Sequence, residues 1–245
     1  MTNTQRWGWV VAFATAMAWV ESAVVVYLRT LIDRIEPYQF NPLPGAPGVA
    51  DFAQIEMARE AATLIMLLAA GWLAGGNRRR RWAYAVLAFG VWDVFYYVFL
   101  RVMVGWPGSL FAWDLLFLLP LPWWGPVIAP VGIALLMIVG GSLVVWFDSP
   151  GRPLWPGRVA WALCLAGVAL ALYAFMADAI AALPGGVPAV RMALPAVFNW
   201  PVYLAGLLLM AAPVADLARR VLKAPPAPVT LSRAIAQGRA ARASD

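Results

Sequence analysis

The stretch WAYAVLAFGVWDVFYYVFLRVMV, Trp82–Val104, decides the fold class. It follows four consecutive arginines, Arg78–Arg81, and its only charged residues are Asp93 and Arg101. A bilayer core about 30 Å thick is crossed by a helix of about 20 mostly apolar residues. The stretch is long enough and has cations massed at one end, as spanning helices do. It predicts a transmembrane helix with a carboxylate near its middle.

Five more segments have this character: about Gly8–Leu28, Glu56–Gly76, Val127–Phe147, Val159–Leu183 and Pro201–Val221. None alternates with period 2, which argues against a barrel. The composition agrees. Hydrophobic residues make up 63% of the 245 and charged residues 12%, against about 45–50% and about 25% in soluble proteins. The expectation is an all-α polytopic membrane protein, residues 1–223 forming a six-helix bundle and 224–245 a disordered basic cytoplasmic tail. Ala16-Met17-Ala18 matches a small-x-small cleavage pattern. However, a single cation precedes it and the apolar run continues beyond it, so the first span is expected to be retained.

Leu110–Phe147 has one charge, Asp114, and as a single helix would be about 57 Å long. Pro120, Pro122, Pro126 and Pro130 interrupt it. The reading is a half-helix over 109–119, a turn at 120–125, and then the fourth span. The half-helix is either re-entrant, or flat at the interface on Trp106, Trp113, Trp123 and Trp124. A short interfacial helix is expected around Val187–Leu194.

The net charge of +6 carries topological information. With the N-terminus inside, 13 of the 18 cations fall on the inner side with only Asp148, Asp216 and Asp245. The positive-inside rule then places both termini in the cytoplasm and the protein in a cell (inner or plasma) membrane. The basicity is therefore no sign of nucleic-acid binding. Long loops, at 29–55, 105–126 and 184–200, all fall outside.

Histidine is absent and cysteine occurs once, at Cys164. No haem, thiolate metal site, disulfide framework or His-based triad is expected. A hard divalent cation on carboxylates remains compatible with the sequence. Ionisable residues inside a membrane are costly and usually functional. Glu21 lies in the first span and Asp93 in the third, each without a cation within a helical turn. Asp93, Tyr97 and Arg101 follow i, i+4, i+8. Glu56, Arg59, Glu60 and Thr63 follow i, i+3, i+4, i+7. These stripes predict a polar site open to the outside between spans one to three. Asp114, Arg191 and Asn199 are expected to close it, and Asp178 lies in the outer part of span five. Arg59 with Glu56 or Glu60, and Arg101 with Asp93 across Tyr97, offer the alternative of internal ion pairs that merely hold helices together. Arg29, Asp33, Arg34 and Glu36 read as solvated loop charges. Gly71-Trp-Leu-Ala-Gly75 reads as an intramolecular packing motif.

Three functions fit. The site binds or transports a small or amphiphilic solute; or it is an enzyme site for a lipid or isoprenoid at the outer leaflet; or the chain is a non-catalytic subunit or assembly factor of a larger membrane complex. The one-sided polar cluster suits an enzyme better than a transporter; the preferred reading is an outward-facing binding site for a small or amphiphilic solute. Its partners are then the bilayer and a small-molecule or lipid ligand.

Overall fold

Helix α3, Arg78–Val104, owes both ends to local chemistry. Asn77 is extended, and its side chain accepts from Arg80 N at 2.9 Å, satisfying one of the open donors of the first turn. Gly105, at φ +73°, ends the helix in a left-handed conformation open to glycine, and its N–H donates to Arg101 O. Around α3 pack α1 (Asn3–Leu31), α2 (Val49–Ala74) and α4 (Ile128–Phe147). Helix α5 (Arg158–Ala182) packs mainly on α7 (Trp200–Met210); α6 (Gly186–Met192) is the short helix expected between them, and α8 (Ala212–Leu222) continues α7 past a break. Pro213 marks that break, since proline cannot donate to the preceding turn. The computed structural model describes residues 1–31, 49–118, 120–195 and 197–223; the tail 224–245 and residues 33, 34 and 36 lie outside these.

Among the described residues, six stretches are long and apolar enough to cross a membrane: Asn3–Leu31, Gln54–Ala74, Arg78–Val104, Ile128–Phe147, Arg158–Val190 and Trp200–Leu222. Small residues let them close up. A Cβ on Gly71 would stand 2.4 Å from Ala85 N, and one on Gly90 2.6 Å from Ala134 O, so α2 and α4 approach α3 almost backbone to backbone. The Gly71–Gly75 motif is thus spent inside the molecule.

The half-helix is replaced by a β-hairpin. Strands β1 (Trp113–Phe117) and β2 (Trp123–Pro126) pair antiparallel, with Asp114 opposite Gly125 and Leu115 opposite Trp124. A short helix ending at Pro120 and Pro122 would leave its last carbonyls open. Pairing satisfies the same backbone within the segment, and aromatic residues suit a pleated surface. Val127 N donates to Ala112 O at 3.0 Å and Ile128 N to Leu110 O at 2.8 Å, binding the hairpin to the start of α4. Gly125 lets β2 lie against α5, where a Cβ would stand 2.8 Å from the Phe175 ring. The described residues are therefore mostly helical with one two-stranded sheet.

The two ends of the bundle differ. At the basic end, the buried Asp148 carboxylate accepts from Asn77 Nδ2 (2.9 Å), Arg79 Nε (2.7 Å) and Leu154 N (2.9 Å). It thereby fastens the α2–α3 turn to the α4–α5 turn. Burial pushes this carboxyl up, but these donors outweigh burial and hold it below the ordinary aspartate value.

Candidate functional site

Toward the other end, α1, α2 and α3 enclose one side of a cavity of about 350 Å³. Helices α4, α5 and α7 and the hairpin enclose the rest. Its walls differ in kind. All four residues from α2, Glu56, Arg59, Glu60 and Thr63, are charged or polar. Every residue from α4, α5 and α7 is apolar, among them Ile133, Met137, Leu172, Phe175 and Met210. The α2 stripe was legible from its i, i+3, i+4, i+7 spacing. The aromatic face of α3 follows the same rule, since Phe89, Trp92, Asp93, Tyr96 and Tyr97 all fall on it.

Arg59 organises the polar wall. It pairs with Glu21 across the α1–α2 interface and with Glu56 on its own helix, where Nε donates to Glu56 Oε2 at 2.9 Å. Thr63 Oγ1 donates to Glu21 Oε2 at 3.1 Å. Glu21 therefore has a cation after all, supplied by a neighbouring helix 38 residues along the chain. Glu60, 8% exposed, accepts from Leu118 N of the hairpin at 3.3 Å. Asp93 is also 8% exposed, and its Oδ2 has no hydrogen-bond partner among the described residues. Neither Glu60 nor Asp93 forms an ion pair among the described residues. The buried indole N–H groups of Trp92 and Trp123, both on the cavity wall, are likewise without an acceptor.

Six of the nine sequence candidates thus share this cavity: Glu21, Glu56, Arg59, Glu60, Asp93 and Tyr97. Three do not line it. Arg101 forms no pair with Asp93; it turns to the end of its own helix and donates to the carbonyls of Gly105 and Pro107, the latter at 3.1 Å. Cationic side chains commonly settle on the open carbonyls there. Asp114 is buried behind the wall, 1% exposed, and pairs with Arg29 at 3.0 Å. Asp178 sits partly exposed near the end of α5. Asn199 caps α7, accepting from Val202 N at 3.3 Å. The Arg191 side chain lies outside the described residues.

Arg29 corrects the solvated-loop reading. Helix α1 runs on to Leu31, so Arg29 lies on its last turn, 9% exposed, with its guanidinium 4.2 Å from the centre of the Trp106 ring. Glu21 and Arg29, eight apart on span one, do share the cavity, but the partners of Arg29 come from the region of the hairpin and no spacing along α1 predicts them. Among the described residues, no three Asp, Glu or Cys side chains gather as a metal-binding group.

Below the cavity, toward the basic end, the packing is apolar. Val10, Ala14 and Ala18 of α1 meet Leu67 of α2, Leu87 and Ala88 of α3, and Val144 and Val145 of α4 in one buried cluster. Comparison with family models, with curated proteins and with solved structures finds no match to this chain.

Proposed function

We propose that this chain is a multi-pass protein of the cell membrane, with both termini cytoplasmic, that binds a small amphiphilic solute from the outer side. The observation that carries the reading is the two-faced cavity, with a charged wall from α1–α3 opposite an apolar wall from α4, α5 and α7. Small-molecule sites are concave, mostly apolar and about 300–1,000 Å³, with a few convergent polar groups. At about 350 Å³ this one suits a compact ligand better than a two-chain lipid. The orientation rests on the cations: Arg6, Arg79, Arg80, Arg152 and Arg220 all lie at the end away from the cavity.

Binding is favoured over transport by the apolar cluster beneath the cavity, in which α1, α2, α3 and α4 pack together toward the basic end. A transport cycle would have to open the packing of α1, α3 and α4. The test is native mass spectrometry of the full chain released from mild detergent. Wild type is expected to carry a small organic adduct that the Glu21→Gln, Asp93→Asn double variant lacks. Equal adduct-free spectra from both proteins, each still folded, would refute the reading.

A further inference from the structure

Resting on that binding site, the charge inventory of the cavity specifies the head group. Four carboxylates line it, Glu21, Glu56, Glu60 and Asp93, against two guanidiniums, Arg29 and Arg59. Both guanidiniums are engaged: Arg59 by Glu21 and Glu56, Arg29 by Asp114. An incoming carboxylate or phosphate would therefore have to displace an existing pair and stand beside surplus negative charge. What remains uncompensated is Glu60 and Asp93. Glu60 already holds the Leu118 N–H, whereas Asp93 Oδ2 holds nothing.

A buried acceptor without a donor is costly, and a buried carboxylate without a cation more so. The residues next to Asp93 on the same face are Trp92, Tyr96 and Tyr97, with Trp92 and Tyr96 stacked at 6.3 Å between ring centres and Tyr96 edge-on to Tyr97 at 4.9 Å. Aromatic faces attract cations through their quadrupole. We infer that the cavity is a site for a compact apolar ammonium ion, its nitrogen on Asp93 among Trp92, Tyr96 and Tyr97, and its apolar body against Met137, Leu172 and Phe175.

Four probes of one shape separate this inference from the reading it rests on. They are phenethylammonium, 2-phenylethanol, 3-phenylpropanoate and 2-phenylethyl phosphate, titrated calorimetrically into the full chain in neutral maltoside micelles. The ammonium is expected to bind at least tenfold tighter than the other three. Asp93→Asn is expected to bring it down at least tenfold, to the level of wild-type alcohol binding. A cooperative melting transition like that of wild type shows that the variant still folds. If Asp93→Asn fails to fold, Tyr96→Leu takes its place and should lower ammonium affinity more than alcohol affinity. If either anion binds as tightly as the ammonium, the head-group assignment is wrong and the binding site stands. If the ammonium is preferred but Asp93→Asn does not weaken it, Asp93 is not its anchor and the inference is overturned. If none of the four binds, both the inference and the amphiphile site fall.

Discussion

Arg29 Nη2 donates to Asp114 Oδ1 at 3.0 Å, joining the last turn of α1 to the first strand of the hairpin. The carboxylate is 1% exposed and the guanidinium side chain 11%, so both charges are largely out of water. Removing one member of such a pair leaves the other buried and uncompensated, at a cost of about 3–5 kcal/mol, whereas replacing both by apolar groups costs less. Arg29→Met and Asp114→Leu are each expected to lower unfolding stability strongly. The double variant should be more stable than the sum of the two losses implies. Unfolding in mixed micelles, arranged as a double-mutant cycle, measures this; strict additivity would show that the pair is not coupled.

Asp148 should give the basic end an acid-sensitive fastening. Its carboxyl is held below the ordinary value of 3.8 in the folded chain despite its burial, by the side chain of Asn77, Leu154 N and Arg79. A group depressed on folding contributes its full stabilisation above its unfolded pKa, and that contribution is lost as pH falls through the folded value. Wild type is therefore expected to lose stability as pH falls through about 4 and below. Asp148→Asn should be less stable at pH 7 and show a flatter acid limb. Melting curves between pH 7 and pH 3 decide it; parallel curves for the two proteins would refute the assignment.

Gly90 reports on the α3–α4 contact that forms part of the cavity wall. An added Cβ would meet Ala134 O at 2.6 Å and Ile138 Cγ1 at 2.9 Å, and a carbonyl in a helix cannot move aside alone. Gly90→Ala is expected to destabilise by about 1–3 kcal/mol, as overpacking does. Gly8, within α1 and with nothing inside 4 Å of the same position, is the control. Gly8→Ala should be neutral or slightly stabilising, because alanine is the better helix former. Thermal unfolding of the two variants side by side checks the contrast.

What the sequence disclosed followed helical periodicity. The stripe from Glu56 to Thr63 and the Asp93–Tyr97 step are local spacings, and they predicted the convergence of spans one to three. Three of the failures share one cause, contact between residues far apart in the chain. Glu21 meets Arg59, Arg29 meets Asp114, and Glu60 meets Leu118, at separations no periodicity encodes. The hairpin had a visible cue. Trp113–Phe117 and Trp123-Trp124 are short, aromatic-rich runs bounded by proline and glycine, which suit strands as well as a broken helix. Low polarity pulled the reading toward helix, because most membrane-depth backbone is helical. Arg101 was misread for another reason: a cation four residues from a helix end has carbonyls closer at hand than a carboxylate two turns back.

The opposed walls of the cavity come from different helices. Its charge is supplied by α1, α2 and α3, locked together around α3, while the residues that bound its volume on the far side belong to α4 and to the α5–α7 pair. Ionic character and capacity are thus inherited from separate stretches of chain. Substitution at Ile133, Met137, Leu172 or Met210 can change the size of molecule admitted while the Arg59 network stays intact, and the two properties can vary independently in the course of evolution or redesign.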